Sequence, residues 1–104
     1  MAYRIVYSLD AEDHFRALTA RQQGTVLDTV DKQLTQQPMV ETKNRKPMRP
    51  NPLASWELRI GKLRVYYDIE EEAGNVVYIV AIGVKERNRV WIGGEEVDLK
   101  EVGL

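Results

Sequence analysis

Apolar and polar positions change period twice along the chain. Arg4-Ile5-Val6-Tyr7 is short, β-branched and aromatic, and predicts a first strand. A helical spacing follows, with Ala11, Phe15 and Leu18 at i, i+4 and i+7 behind Ser8 or Asp10 as the cap. Thr19, with Gln22 three residues on, forms a second capping signal. Behind it Val26, Leu27, Val30 and Leu34 predict an apolar stripe, and Pro38 stops the helix. The pair reads as an α-helical hairpin packed by one face on a sheet.

Beyond residue 55 the period becomes two. Trp56, Leu58 and Ile60 alternate with Glu57 and Arg59; Leu63, Val65, Tyr67 and Ile69 alternate with Arg64, Tyr66 and Asp68. The intervening Gly61-Lys62 suits a two-residue type II′ turn, which wants glycine first. That turn sets the register: Ile60 opposite Leu63, Arg59 opposite Arg64, Leu58 opposite Val65, Glu57 opposite Tyr66. One face of this hairpin is wholly apolar and belongs on the helices. The other gathers Glu57, Arg59, Arg64 and Tyr66. Residues 75–84 are apolar on both sides and predict a central strand, entered through the turn Glu70-Glu71-Glu72-Ala73-Gly74.

All four prolines, Pro38, Pro47, Pro50 and Pro52, fall in residues 37–52 together with Lys43, Arg45, Lys46 and Arg49. Proline removes a donor and fixes φ, so this stretch, about 38–53, predicts a basic surface loop rather than regular helix or central strand. A long loop in a small domain is either functional or a linker. With no second domain to link, function is the better reading.

The length of 104 residues allows one domain and one core. With 43% hydrophobic and 30% charged residues, the chain is too apolar to be disordered. The absence of cysteine excludes a disulfide framework, a thiolate nucleophile and cysteine-based metal sites. The longest apolar run, Val76 to Ile82, is far short of the roughly 20 residues of a membrane span. No apolar signal segment precedes the first strand. A small cytoplasmic single-domain protein without membrane contact is expected, its residues 93–104 being a short strand or a frayed tail.

The net charge of −1 is unevenly spread: −2 over residues 1–42, +6 over 43–64 and −5 over 65–104. A basic middle suggests an anionic partner, or simply a solvated loop. The hairpin sharpens the choice. Two arginines opposite one another repel, and folding offers no evident reason to place Arg59 beside Arg64. A bound phosphate does, because guanidinium groups fork onto its oxygens; alternatively, Glu57 neutralises the pair. In Lys85-Glu86-Arg87-Asn88-Arg89-Val90-Trp91, an extended chain puts Lys85, Arg87, Arg89 and Trp91 on one side. Cations around an aromatic ring suit single-stranded nucleic acid; otherwise Trp91 is a core or edge residue.

The ordered set of these features resembles the RelE/ParE superfamily, the toxins of bacterial type II toxin–antitoxin modules. The resemblance spans about residues 3–92. It rests on the strand–helix–helix–loop order, on Trp56-Glu57-Leu58-Arg59-Ile60-Gly61-Lys62-Leu63-Arg64-Val65-Tyr66-Tyr67, and on Ala81-Ile82-Gly83-Val84-Lys85-Glu86-Arg87. It implies an α+β, microbial ribonuclease-like fold in which an N-terminal strand and a helical hairpin pack on a small antiparallel sheet. It also implies mRNA cleavage on the ribosome by attack of a ribose 2′-hydroxyl on the adjacent phosphate. Arg64 falls on the family's best-matched basic position, Arg59 on a basic strand position, and Lys85 or Arg87 on the later one. Trp91 stands where RelE-like members have a functional tyrosine, and Glu57 where RelE has lysine. The implied catalytic candidates are Arg64, Arg59, Lys85, Arg87, Glu57 and Tyr66. The implied RNA contacts are Lys43, Arg45, Lys46, Arg49, Arg89 and Trp91. No cofactor or metal is expected, since His14, the single histidine, and the scattered carboxylates show no ligand spacing; His14 itself reads as an incidental helix residue. The implied partners are a cognate antitoxin and, in an active member, the ribosome and mRNA. Alternatives within the resemblance are a ParE-like, non-nuclease toxin acting on DNA gyrase and an inactive member that only binds its antitoxin.

Overall fold

The computed structural model describes residues 2–97. Elements run β1 (Arg4–Tyr7), α1 (Leu9–Arg16), α2 (Ala20–Leu34), β2 (Arg45–Pro47), β3 (Trp56–Ile60), β4 (Leu63–Glu70), β5 (Val76–Glu86), β6 (Arg89–Ile92) and β7 (Glu95–Val97). The sheet order is β2-β3-β4-β5-β6-β7, all antiparallel, with β1 added in parallel to β5. This is an α+β architecture with the helical hairpin on one face of the sheet. Of the tail, Glu95–Val97 forms β7, and residues 98–104 lie outside the described residues.

Both helices start where their side chains can satisfy free backbone donors. Ser8, not Asp10, caps α1: its Oγ accepts the Ala11 N–H at 3.0 Å. Thr19 and Gln22 close a reciprocal capping box on α2. Val26, Val30 and Leu34 are buried against Leu58, Val65, Tyr67, Val77, Ile79 and Ile82. Leu27 does not join them. It stands one position round the helix from that stripe and remains 49% exposed.

The β3–β4 register is the one that the Gly61 turn dictates, Arg59 opposite Arg64 included. Gly61 has φ +57 whereas Lys62 does not enter the left-handed region, as a type II′ turn requires. On β5, Tyr66 pairs with Ala81 but Tyr67 with Ile79, so a bulge at Val80 interrupts the ladder. The bulge lets Val80 and Ala81 both serve the face away from the helices. There they join Tyr66, Ala54, Val90, Met48, Leu53 and Ile92 in a second, smaller apolar cluster.

That cluster lies beneath the proline-rich segment, which is not wholly loop. Arg45–Pro47 pairs with β3 as an edge strand, the one place in a sheet where Pro47 is tolerated. The return is knitted by Asn51, whose Oδ1 accepts the Leu53 and Ala54 N–H groups while its Nδ2 donates to the Arg49 and Ala54 carbonyls.

One edge of β5 is shared by β1 (at residues 76–79) and β6 (at residues 83–86), leaving a gap between them. Residues of the α1 segment seal it. Ser8 N–H donates to the Ile79 carbonyl and Ser8 Oγ to the Val80 carbonyl, while Ile82 N–H donates to His14 Nδ1 at 3.2 Å. His14 is therefore structural rather than incidental, its Nδ1 completing the hydrogen bonding of the β5 edge. Replacing it by phenylalanine strands the Ile82 N–H. His14→Phe is expected to lower unfolding free energy by about 1–3 kcal/mol in denaturant titration.

Candidate anion-binding cleft

Alternation along β3, β4 and β5 sends Glu57, Arg59, Arg64, Gly83 and Lys85 to the sheet face opposite the helices. Gly83 faces Arg64 without a side chain of its own. A Cβ there would come within 2.9 Å of Ile92 Cγ1, so the floor is tight against β6. β2 and the residues after it raise a wall of Lys46, Pro47, Met48 and Arg49, and Val90 of β6 closes the far side. The result is a cleft of about 350 Å³ that contains five cations and one carboxylate, Glu57.

The two arginines are held differently. Arg59 Nε donates to Glu57 Oε1 at 2.7 Å, and the Glu57 side chain is only 10% exposed. Arg64 has no acidic partner among the described residues. Its Nη1 donates to the carbonyls of Gly61 (2.7 Å) and Leu63 (2.9 Å), which lay the guanidinium along the turn and leave its charge uncompensated. Neutralisation by Glu57 thus reaches one arginine of the pair. Lys46 shares an exposed 3.5 Å contact with Glu41, a weak restraint. Tyr66 lies fully buried beneath the cleft, and its hydroxyl has no hydrogen-bond partner of good geometry. Burial first, and the Glu57 charge beside it second, push its pKa well above the usual phenol value. A proton-donating catalyst needs the opposite shift, so Tyr66 is a floor of the cleft rather than an acid at neutral pH.

The structure brings Arg59, Arg64, Lys85, Glu57, Lys46 and Arg49 together, with Tyr66 below. The remaining candidates fall elsewhere. Arg45 is buried: its Nε donates to the Val40 carbonyl (2.9 Å) and its Nη1 to the Gln33 carbonyl (2.7 Å), clamping β2 to the end of α2. It is not available to RNA. Lys43 is exposed outside the cleft. Lys85 to Trp91 is not one extended run, because Arg87-Asn88 makes a hairpin turn between the paired Glu86 and Arg89. Val90 consequently shares the cleft face with Lys85. Trp91, opposite Val84, and Arg89 take the helix side, Arg89 beside Glu96 at 3.5 Å. Arg87 sits at the hairpin tip, where an adjoining groove gathers Gly61, Lys62, Arg64, Lys85, Glu86 and Arg87. Lys62 joins this groove from the turn, a role that its residue type alone does not mark. Its position in the turn after Arg59 was the available signal.

The fold is RelE-like. The chain is similar to a chain of the RelBE2 toxin–antitoxin complex from Mycobacterium tuberculosis, with TM-score 0.68 and 21% sequence identity over 82% of this chain and 100% of that one. No protein-family model and no curated protein matches it. Among the described residues, no helix is long and apolar enough to cross a membrane, and no three acidic or histidine side chains come together to hold a metal ion.

Two outcomes test these assignments. Arg45→Met leaves the Gln33 and Val40 carbonyls without their charged donor and is expected to cost about 3 kcal/mol of stability in urea unfolding. Tyr66 and Tyr67 both have raised pKa values, chiefly from burial. Their contribution is present in full below the unfolded phenol value of about 10 and is lost as pH rises above it. Stability is expected to fall from about pH 10 upward, and less steeply in Tyr66→Phe, with phenolate absorbance from the buried pair appearing together with unfolding.

Proposed function

We propose that this chain is the toxin of a type II toxin–antitoxin pair and that it cleaves mRNA on the ribosome through the cleft. The observation that carries the proposal is the in-register Arg59–Arg64 pair facing Lys85 on an otherwise unexplained basic surface. The likeness to a chain of a toxin–antitoxin complex supports the biological setting. In this reading Arg64 and Lys85 hold the scissile phosphate, and Arg59 reaches it from its Glu57 anchor. The Glu57 carboxylate takes the 2′-hydroxyl proton as the 2′-oxygen attacks phosphorus. The 5′-oxygen leaves with a proton from solvent, giving a 2′,3′-cyclic phosphate and a 5′-hydroxyl. Pre-placed cations stabilise the extra negative charge of the pentavalent transition state. An antitoxin partner would silence the protein by covering this basic face.

Induced expression followed by mapping of mRNA ends tests the proposal in cells, and cleavage with purified ribosomes tests it in vitro. Arg64→Ala is expected to lower cleavage by about 10²–10³-fold. Glu57→Gln is expected to lower kcat by about 10²–10⁴-fold. Equal cleavage by wild type and Arg64→Ala overturns the site. Growth arrest with intact mRNA and altered DNA supercoiling assigns the chain to gyrase instead, and expression without arrest identifies an antitoxin-binding member lacking activity.

A further inference from the structure

The groove beside the cleft carries two cations that the proposed reaction does not use. It shares Arg64 and Lys85 with the cleft and adds Lys62 and Arg87, four cations against the single carboxylate of Glu86. Neither Lys62 nor Arg87 has an acidic partner among the described residues. The β4–β5 pairing runs on by one step into the first turn, since Lys85 N–H donates to the Lys62 carbonyl at 2.7 Å. The backbone therefore sets Lys62 beside Lys85, two residues before Arg87, and both Lys62 and Arg87 line the one groove.

Arg87 makes the case sharper. It is the only non-glycine residue with positive φ among the described residues, at +58. The first position of a two-residue hairpin turn of this kind favours glycine, as Gly61 illustrates at φ +57 in the neighbouring turn. An arginine there is conformationally unfavourable, and its side chain is exposed. Backbone strain at an exposed cation points to a ligand.

We infer that this groove is a second phosphate subsite, so that the protein takes two consecutive phosphodiesters of a single strand: one between Arg59, Arg64 and Lys85, the next between Lys62 and Arg87. The two depressions share Arg64 and Lys85, so a single strand can pass from one to the other. The inference rests on the nucleic-acid reading of the cleft, but it concerns binding and not cleavage.

The test is fluorescence anisotropy with an uncleavable 2′-deoxy single strand, measured over a range of salt. Arg87→Gly is expected to keep or raise Tm, because it relieves the left-handed residue, while lowering the slope of log Kd against log salt by about 0.7. Lys62→Ala is expected to lower it similarly. A strand with one neutral methylphosphonate next to the linkage held by Arg64 should bind wild type more weakly, yet bind the Lys62→Ala/Arg87→Gly double variant no worse than the fully charged strand does. If Arg64→Ala lowers the slope and the two tip variants do not, the second subsite is overturned while the cleft stands. If none of the three changes it, the nucleic-acid reading falls as well.

Discussion

Everything in the basic face depends on one register. Two arginines opposite one another in an antiparallel pair repel, at a cost of up to about 1 kcal/mol. The same register buries Leu58 and Val65 against α2, with Trp56 stacked on Tyr67 at 6.0 Å. Slipping β3 by one residue would turn Arg59 into the core and Leu58 out to water. Burial of each such side chain is worth about 1.5–3 kcal/mol, so the apolar face overrides the repulsion. The helices thereby hold the cation pair in place without touching it.

What the cleft can do follows from how its charges are anchored. Glu57 is almost buried and needs a partner, which Arg59 supplies at 2.7 Å; removing either would leave the other's charge poorly compensated. Among the described residues, Arg64 is restrained by carbonyl oxygens and no carboxylate, so its orientation is set while its charge stays available. The small apolar cluster under Ala54 and Met48 gives the wall that carries Lys46 and Arg49 a foundation of its own. The proline-rich segment is thus part of the sheet's second face, and the cleft is built between two packed layers.

Local features were legible in the sequence, and non-local ones were not. The capping box, the Gly61 turn and the β3–β4 pairing each involve residues near in the chain, and each follows from spacing and side-chain type. The parallel pairing of β1 with β5 and the seal by His14 join residues about two thirds of the chain apart. Arg45 reads as one more loop cation because its acceptors are backbone carbonyls, which leave no mark on composition. Of the four residues expected on one side, Arg87, Arg89 and Trp91 do line one groove, and Lys85 alone is turned to the other face, for a specific reason. The turn that reverses the chain after Glu86 has an arginine where a glycine would have announced it, so the run looked continuous.

That same arginine, with Lys62, also bears on the overall charge. A net charge of −1 reads as indifferent to polyanions, but electrostatic attraction is decided locally once screening is included. Arg64 and Glu70 are six residues apart on β4, roughly 20 Å along an extended strand. The Debye length at physiological salt is about 8 Å. The acidic turn that follows β4 is therefore largely invisible to an anion at the cleft, which experiences Arg64, Lys85 and their neighbours. The acids lower the net charge without dissolving the field of the basic face. A chain can in this way remain slightly acidic overall, limiting indiscriminate attraction to polyanions, and still present one surface on which phosphates are held.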